Sequence, residues 1–162
     1  KVLFFVIMKQ KEELEAAAAG YVEGKDLFIV DIAVSADNDI DITIESDDRD
    51  VTLDDCVDMS RYIESKLDRD VEDFSLTVGS AGLTAPFKLP RQYRKFVGSL
   101  IEVTYRDGHR VKAHLESAGE DGFEISYDRL APVEGKKKKV REQVRETLKY
   151  TDVKSAKAVI KF

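Results

Sequence analysis

Hydrophobic positions change their spacing repeatedly along the first half of the chain. Residues 9–25, KQKEELEAAAAGYVEGK, are strong helix formers; Leu14, Ala18, Tyr21 and Val22 share a face, and Gly24 can end the run. Residues 27–35, LFIVDIAVS, are almost continuously apolar, as in a strand covered on both faces. The ADND that follows carries turn chemistry. Ile40, Ile42 and Ile44 then alternate with Asp41, Thr43 and Glu45, so the two runs predict a hairpin. After a polar loop, Thr52 can cap a second helix whose first turn holds Asp54 and Asp55. Leu53, Cys56, Val57, Ile63 and Leu67 are expected on its inward face, with Asp58, Arg61 and Glu64 toward water. Residues 74–78 read as a third strand with Phe74, Leu76 and Val78 inward. The order helix, strand, strand, helix, strand predicts a two-layer α/β domain with its helices on one face.

Beyond residue 90 the pattern changes. RQYRKFVG is a short helical lead stopped by Gly98. Residues 99–105, 109–118 and 123–128 read as short strands, separated by the tight-turn signals Asp107-Gly108 and GEDG. VRETLKYTD and SAKAVIKF follow a basic stretch, EGKKKKVRE. Short strands without a long helix predict a small closed β-barrel. The fold class expected is α+β in two domains: an α/β domain over residues 8–83, a linker over 84–92 and a barrel over 93–162.

Charge sharpens this division. The 162 residues carry a net charge of −6, but residues 1–90 hold 9 Lys and Arg against 21 Asp and Glu, and residues 91–162 hold 17 against 11. An acidic half and a basic half suggest different electrostatic partners, although charge also simply keeps both soluble. Hydrophobic residues at 43% and charged residues at 36% exclude a disordered chain. The opening KVLFFVIM is too short to cross a bilayer and lacks a cleavage site, so a membrane anchor and a signal peptide are not expected. Residues 1–7 are expected to be a non-native leader, with Met8 a candidate start. Cys56 stands alone, which rules out an internal disulfide and fits a cytoplasmic setting.

Little in the chain suggests catalysis. Asp37, Asp39 and Asp41 in DNDID resemble the start of a calcium loop, but Ile42 stands where that loop needs glycine and Asp48 where it needs glutamate. His109 and His114 are five apart on an expected strand and have no ligand partners. Cys56 faces inward and behaves as a small core hydrophobe. Nucleophile elbow, phosphate loop and dinucleotide fingerprint are all missing. No enzyme activity, metal or cofactor is therefore expected. Lys136, Lys137, Lys138, Lys139 and Arg141 form the dense positive cluster, read either as a solvated hairpin or as a contact for RNA phosphates; no aromatic is interleaved to stack on bases. Arg91, Arg94 and Lys95 add basic candidates in the helical lead. Asp47, Asp48, Asp50, Asp54, Asp55 and Asp58 either aid solubility or dock a strongly basic protein.

The most distinctive stretch is VGSAGLTAPF, residues 78–87. Its G-x-x-G follows a strand, lacks basic neighbours and precedes a non-helical segment, so a phosphate-clamping loop between helices is disfavoured and a bend between domains is favoured. Followed by LPRQYRKFVG, this stretch resembles the mid-chain signature of the bacterial ribosome maturation factor RimP family. TLDDCVDMSRYIESKLD is similar to that family's second helix, and LKYTDVKSAKAVIKF to its last strands. The resemblance spans nearly all of residues 9–162. It implies a C-terminal Sm-like (Src-homology-3-like) barrel and a role in assembling the small ribosomal subunit. The implied partners are the free small subunit and its ribosomal protein twelve; ribosomal RNA phosphates are a further contact expected of the basic cluster, and the chain is expected to be a monomer. Ala81 and Thr84-Ala85 depart from the family's usual proline and charged pair, so only a hinge role is carried over, to Gly79, Gly82, Pro86 and Pro90. A general Sm-like RNA-binding module is the alternative.

Overall fold

The computed structural model describes residues 8–82, 85–135 and 137–160. The expected leader at 1–7, the family departure at Thr84 and the candidate Lys136 lie outside them. The chain divides between Ala81 and Gly82 into two compact units.

Ile40, Ile42 and Ile44 set the first unit, each at most 1% exposed at the centre of its core. They belong to β2 (Asp39–Ser46), which lies between β1 (Leu27–Val34) and β3 (Ser75–Ser80) in a sheet of order β1-β2-β3. β1 and β2 pair antiparallel across a turn in which Asn38 adopts φ 61°; asparagine tolerates this left-handed geometry better than most residues. The Ser35 hydroxyl accepts from the Asp39 N–H at 3.0 Å and closes the turn. β2 pairs with β3 in parallel, Asp39 opposite Ser75 through Ile44 opposite Ser80. Helices α1 (Lys11–Val22) and α2 (Leu53–Lys66) cover the isoleucine face through Leu14, Ala18, Cys56, Met59 and Ile63.

Three expectations change here. The apolar run of β1 conceals a bulge: Ile29 pairs with Ile44 but Asp31 with Thr43, so Val30 is an extra residue. Leu27 and Ile29 before it, and Ile32 and Val34 after it, therefore pack on the same core. In α2, Met59 takes the inward face with Cys56, Ile63 and Leu67, whereas Leu53 and Val57 are 79% and 36% exposed. The stripe on the sheet runs through Cys56, Met59 and Ile63, at i, i+3 and i+7, and Leu53 and Val57 fall to its side. Gly79, expected in the hinge, sits inside β3 opposite Thr43.

The second unit is built from α3 (Pro90–Lys95), β4 (Leu100–Tyr105), β5 (Arg110–Ala118), β6 (Gly122–Pro132), β7 (Lys139–Lys149) and β8 (Val153–Ala158). All ladders are antiparallel, in the order β7-β6-β5-β4-β8. That order is open: among the described residues no ladder joins β7 to β8, and the expected closure is not part of the pairing. β6 and β7 run well beyond the expected 123–128, pairing from Gly122 opposite Lys149 to Pro132 opposite Lys139 without a shift. The outer half of this ribbon lacks apolar alternation, which is why it reads as loop in the sequence.

Much of the expected linker belongs to this unit. The Phe87 N–H donates to the Ala156 carbonyl at 2.8 Å, and the Phe87 ring lies 4.9 Å from that of Tyr93 and 5.2 Å from Phe96. Pro90 is the first residue of α3, where a missing N–H costs nothing. Gln92, only 4% exposed, turns its Oε1 back to accept from the N–H groups of Lys88 at 2.6 Å and Leu89 at 3.0 Å. Tyr93 stacks into Phe123 and Tyr150 at 4.9 and 4.8 Å, tying α3 to the sheet.

Gly122 is required by space. A Cβ there would lie 2.1 Å from the Leu148 carbonyl oxygen, so any side chain must pry β6 from β7. Gly82 has room, since its Cβ would meet Ala85 at an ordinary 3.7 Å. Chemical denaturation should therefore show Gly122→Ala destabilised by about 2 kcal/mol or more, and Gly82→Ala within about 1 kcal/mol of the wild type. Equal midpoints for the two variants would contradict the assignment.

Candidate functional site

The acidic candidates surround a local framework centred on Arg49. Its Nε lies 2.6 Å from Asp26 and its guanidinium reaches Asp55 at 2.7 Å. The Asp55 carboxylate also accepts from the Thr52 N–H at 2.8 Å, while the Asp55 N–H donates to Thr52 Oγ1 at 3.1 Å. This reciprocal pair is a capping box that starts α2. Hydrogen bonds from Arg49 and then from the Thr52 backbone hold the Asp55 carboxyl well below the usual carboxylate range, and Arg49 lowers Asp26 as well. Asp55 is thus spent on building the helix start rather than offered to a partner. Asp47, Asp48, Asp50, Asp54 and Asp58 are exposed around it. The sequence reading missed Arg49; a lone cation inside SDDRD was the available signal.

The basic candidates form two groups in the second unit. Burial of Gln92 and Tyr93 turns Arg91 and Arg94 of α3 outward, with Lys95 half-buried. Lys137, Lys138, Lys139 and Arg141 lie at the far end of the β6–β7 ribbon, all exposed. Phe123, which holds α3, and Pro132, which pairs with Lys139, stand at opposite ends of β6. At about 3.3 Å per residue this places roughly 30 Å of strand between the two groups. Arg129 and Arg145 are paired across the ribbon with Glu142 at 2.5 Å and Glu124 at 2.8 Å. Arg141 is 3.9 Å from Asp128, a looser pair. Leu130 and Pro132 share a face with Arg141 and Lys139, making the ribbon's outer half both apolar and basic.

Several of the remaining candidates have structural partners. His109 stacks on Tyr105 at 4.1 Å and its Nδ1 lies beside Asp107, while His114 is exposed on β5. Tyr105 and Tyr127 both donate to Glu146, at 3.1 and 2.6 Å. Burial pushes the Cys56 thiol up, against nucleophile chemistry. Among the described residues, no three His, Cys, Asp or Glu side chains gather as a metal site. No helix among them is long and apolar enough to cross a membrane. The shallow groove between α2 and β3, about 350 Å³, is lined by Leu53, Cys56, Val57, Leu76 and Val78, with Arg61 at its side.

Comparison with known proteins adds a family to this geometry. A model of the RimP N-terminal domain matches residues 17–84. The ribosome maturation factor RimP of Christiangramia forsetii is 36% identical over 156 residues, covering 96% of this chain and 100% of that protein. The factor of the same name from Porphyromonas gingivalis strain W83 is 32% identical over 153 residues, covering 94% and 100%. That from Flavobacterium psychrophilum is 32% identical over 154 residues, covering 95% and 97%.

The Arg49 framework has a pH signature. Because the folded pKa of Asp55 is depressed, its contribution to stability is present above the unfolded value of about 3.9 and is lost as pH falls toward the folded value. Asp55→Asn should cost about 1 kcal/mol at neutral pH, as the loss of a helix cap does. Denaturation curves recorded from pH 6 down to pH 2 should show the gap between wild type and variant closing. A gap that stays constant across that range would refute the charge-assisted cap.

Proposed function

Since the chain belongs to the RimP family of ribosome maturation factors, we propose that it assists assembly of the small ribosomal subunit by binding, without catalysis. The acidic first unit engages a strongly basic ribosomal protein, for which protein twelve of the small subunit is the candidate. The basic second unit meets ribosomal RNA phosphates. The observation that carries this reading is the coincidence of the charge division with the division into two compact units. We read the second unit as an Sm-like barrel, supported by the run of antiparallel neighbours from β4 to β7 and the return of β8 beside β4. The stretch from Ala81 to Pro86 is read as the hinge between domains, and the protein as a cytoplasmic monomer.

The two basic groups suit an RNA surface rather than a single phosphate. Points about 30 Å apart along β6 can each neutralise phosphates of a folded RNA, and among the described residues neither group carries a fully exposed aromatic to stack on bases. Pull-down with the intact chain should therefore capture small subunits and free ribosomal protein twelve in preference to mature large subunits. Replacing Lys136, Lys137, Lys138 and Lys139 by glutamine should weaken small-subunit binding three- to tenfold and flatten its salt dependence. Equal capture of both subunits would defeat the proposal. Complete loss in the lysine variant, together with tight binding of bare single-stranded RNA, would favour the general Sm-like RNA module.

A further inference from the structure

The helical layer of the first unit is wider than its sheet. Cys56, Met59 and Ile63 of α2 are buried on the strands, but Leu53 and Val57 continue the apolar face past β3 and remain exposed. β3 is, with β1, one of the two edge strands, and among the described residues no strand pairs with its outer side. The Ser75 N–H donates inward, to Asn38 on the β2 side. Parallel pairing directs alternate residues to the same neighbour, so Ser75, Thr77 and Gly79 face β2. Leu76, Val78 and Ser80 then turn their N–H and C=O groups to the open side. The apolar groove between α2 and β3 runs along this open edge, floored by Leu76 and Val78 and walled by Leu53 and Val57.

An apolar helix overhang beside an open strand edge is the empty place of a fourth strand. We propose that an extended segment of a basic protein, alternating apolar residues with Lys or Arg, adds as that strand along β3. Its main chain bonds Leu76, Val78 and Ser80; its apolar side chains cover Leu53 and Val57. Its basic side chains point to the other face of the sheet, where the exposed Asp39 and Asp41 of β2 stand opposite Ser75 and Thr77. Arg61, at the groove's side, repels a basic residue on that face, which the apolar positions of the segment occupy instead. A second copy is a poor occupant, because the first 90 residues carry 21 acidic against 9 basic groups and two such surfaces repel. The inference rests on the reading of the first unit as the protein-docking half, and names how that docking is made.

The test is a titration of the full isotope-labelled chain with a blocked synthetic peptide, KVKVKVK, followed by amide and methyl resonances. Shifts are expected at Leu76, Val78 and Ser80 amides and at Leu53 and Val57 methyls. The same peptide methylated on alternate backbone nitrogens should bind at least tenfold more weakly. Leu53→Gln with Val57→Gln, both at exposed positions, should also weaken binding at least tenfold, and Asp39→Asn with Asp41→Asn two- to fivefold at low salt. Equal binding by the methylated peptide, or shifts confined to other surfaces, would overturn strand addition. Resonances of β3 that move with protein concentration, without peptide, would assign the edge to a second copy and equally overturn it. If the peptide docks as described while the chain captures no small subunit, the groove stands and the functional reading falls; capture of small subunits without peptide shifts at β3 is the reverse.

Discussion

The first unit depends on one pairing, that of β3 alongside β2 in parallel. Parallel neighbours cannot be joined by a tight turn; the chain must leave the sheet, cross a face and return. Here α2 is that crossing, and the Thr52–Asp55 box with Arg49 determines where it begins. The crossing places Met59 and Ile63 over Ile40, Ile42 and Ile44, so the core and the connection are formed together. It also leaves β3 at the edge, with part of α2 beyond it. The same constraint that closes the core therefore leaves a groove open.

The second unit is organised by close approach and by aromatic packing. Gly122 lets β6 meet β7 at the Leu148 carbonyl, which starts a ribbon long enough to carry the lysine cluster away from the core. At the same end, Tyr93, Phe123 and Tyr150 gather α3 against the sheet. Phe87 joins them, so the second unit reaches back to within a few residues of the division at Ala81. Charge is thereby held at two points separated along one strand.

Features with a strong local signal were legible in the chain. The alternation of Ile40, Ile42 and Ile44 places them inward because a strand presents every second side chain to one face. Thr52 caps α2 because a hydroxyl before a polar first turn satisfies an otherwise unpaired N–H. The mid-chain signature led to the family that the full-length relatives establish. Less legible were the bulge at Val30, which shifts the alternation of β1 within a run that is apolar throughout, and the outer ribbon, whose residues follow no apolar period. The six acidic candidates looked equivalent; only Arg49, between two of them in the loop, distinguishes Asp55.

What the sequence determined by itself was the nature of each half: an acidic α/β layer, a basic run of strands and the break between them. These follow from composition and from periods of two and 3.6 residues, which need no partner to be read. Only the tertiary structure decided which apolar residues remain uncovered. Leu53 and Val57 lie close to the buried stripe of α2 and are as hydrophobic as residues within it. Their exposure depends on the width of a sheet assembled from residues 27 to 80. Burial is a property of the neighbours that reach a side chain, and those neighbours are set by strand order rather than by local sequence.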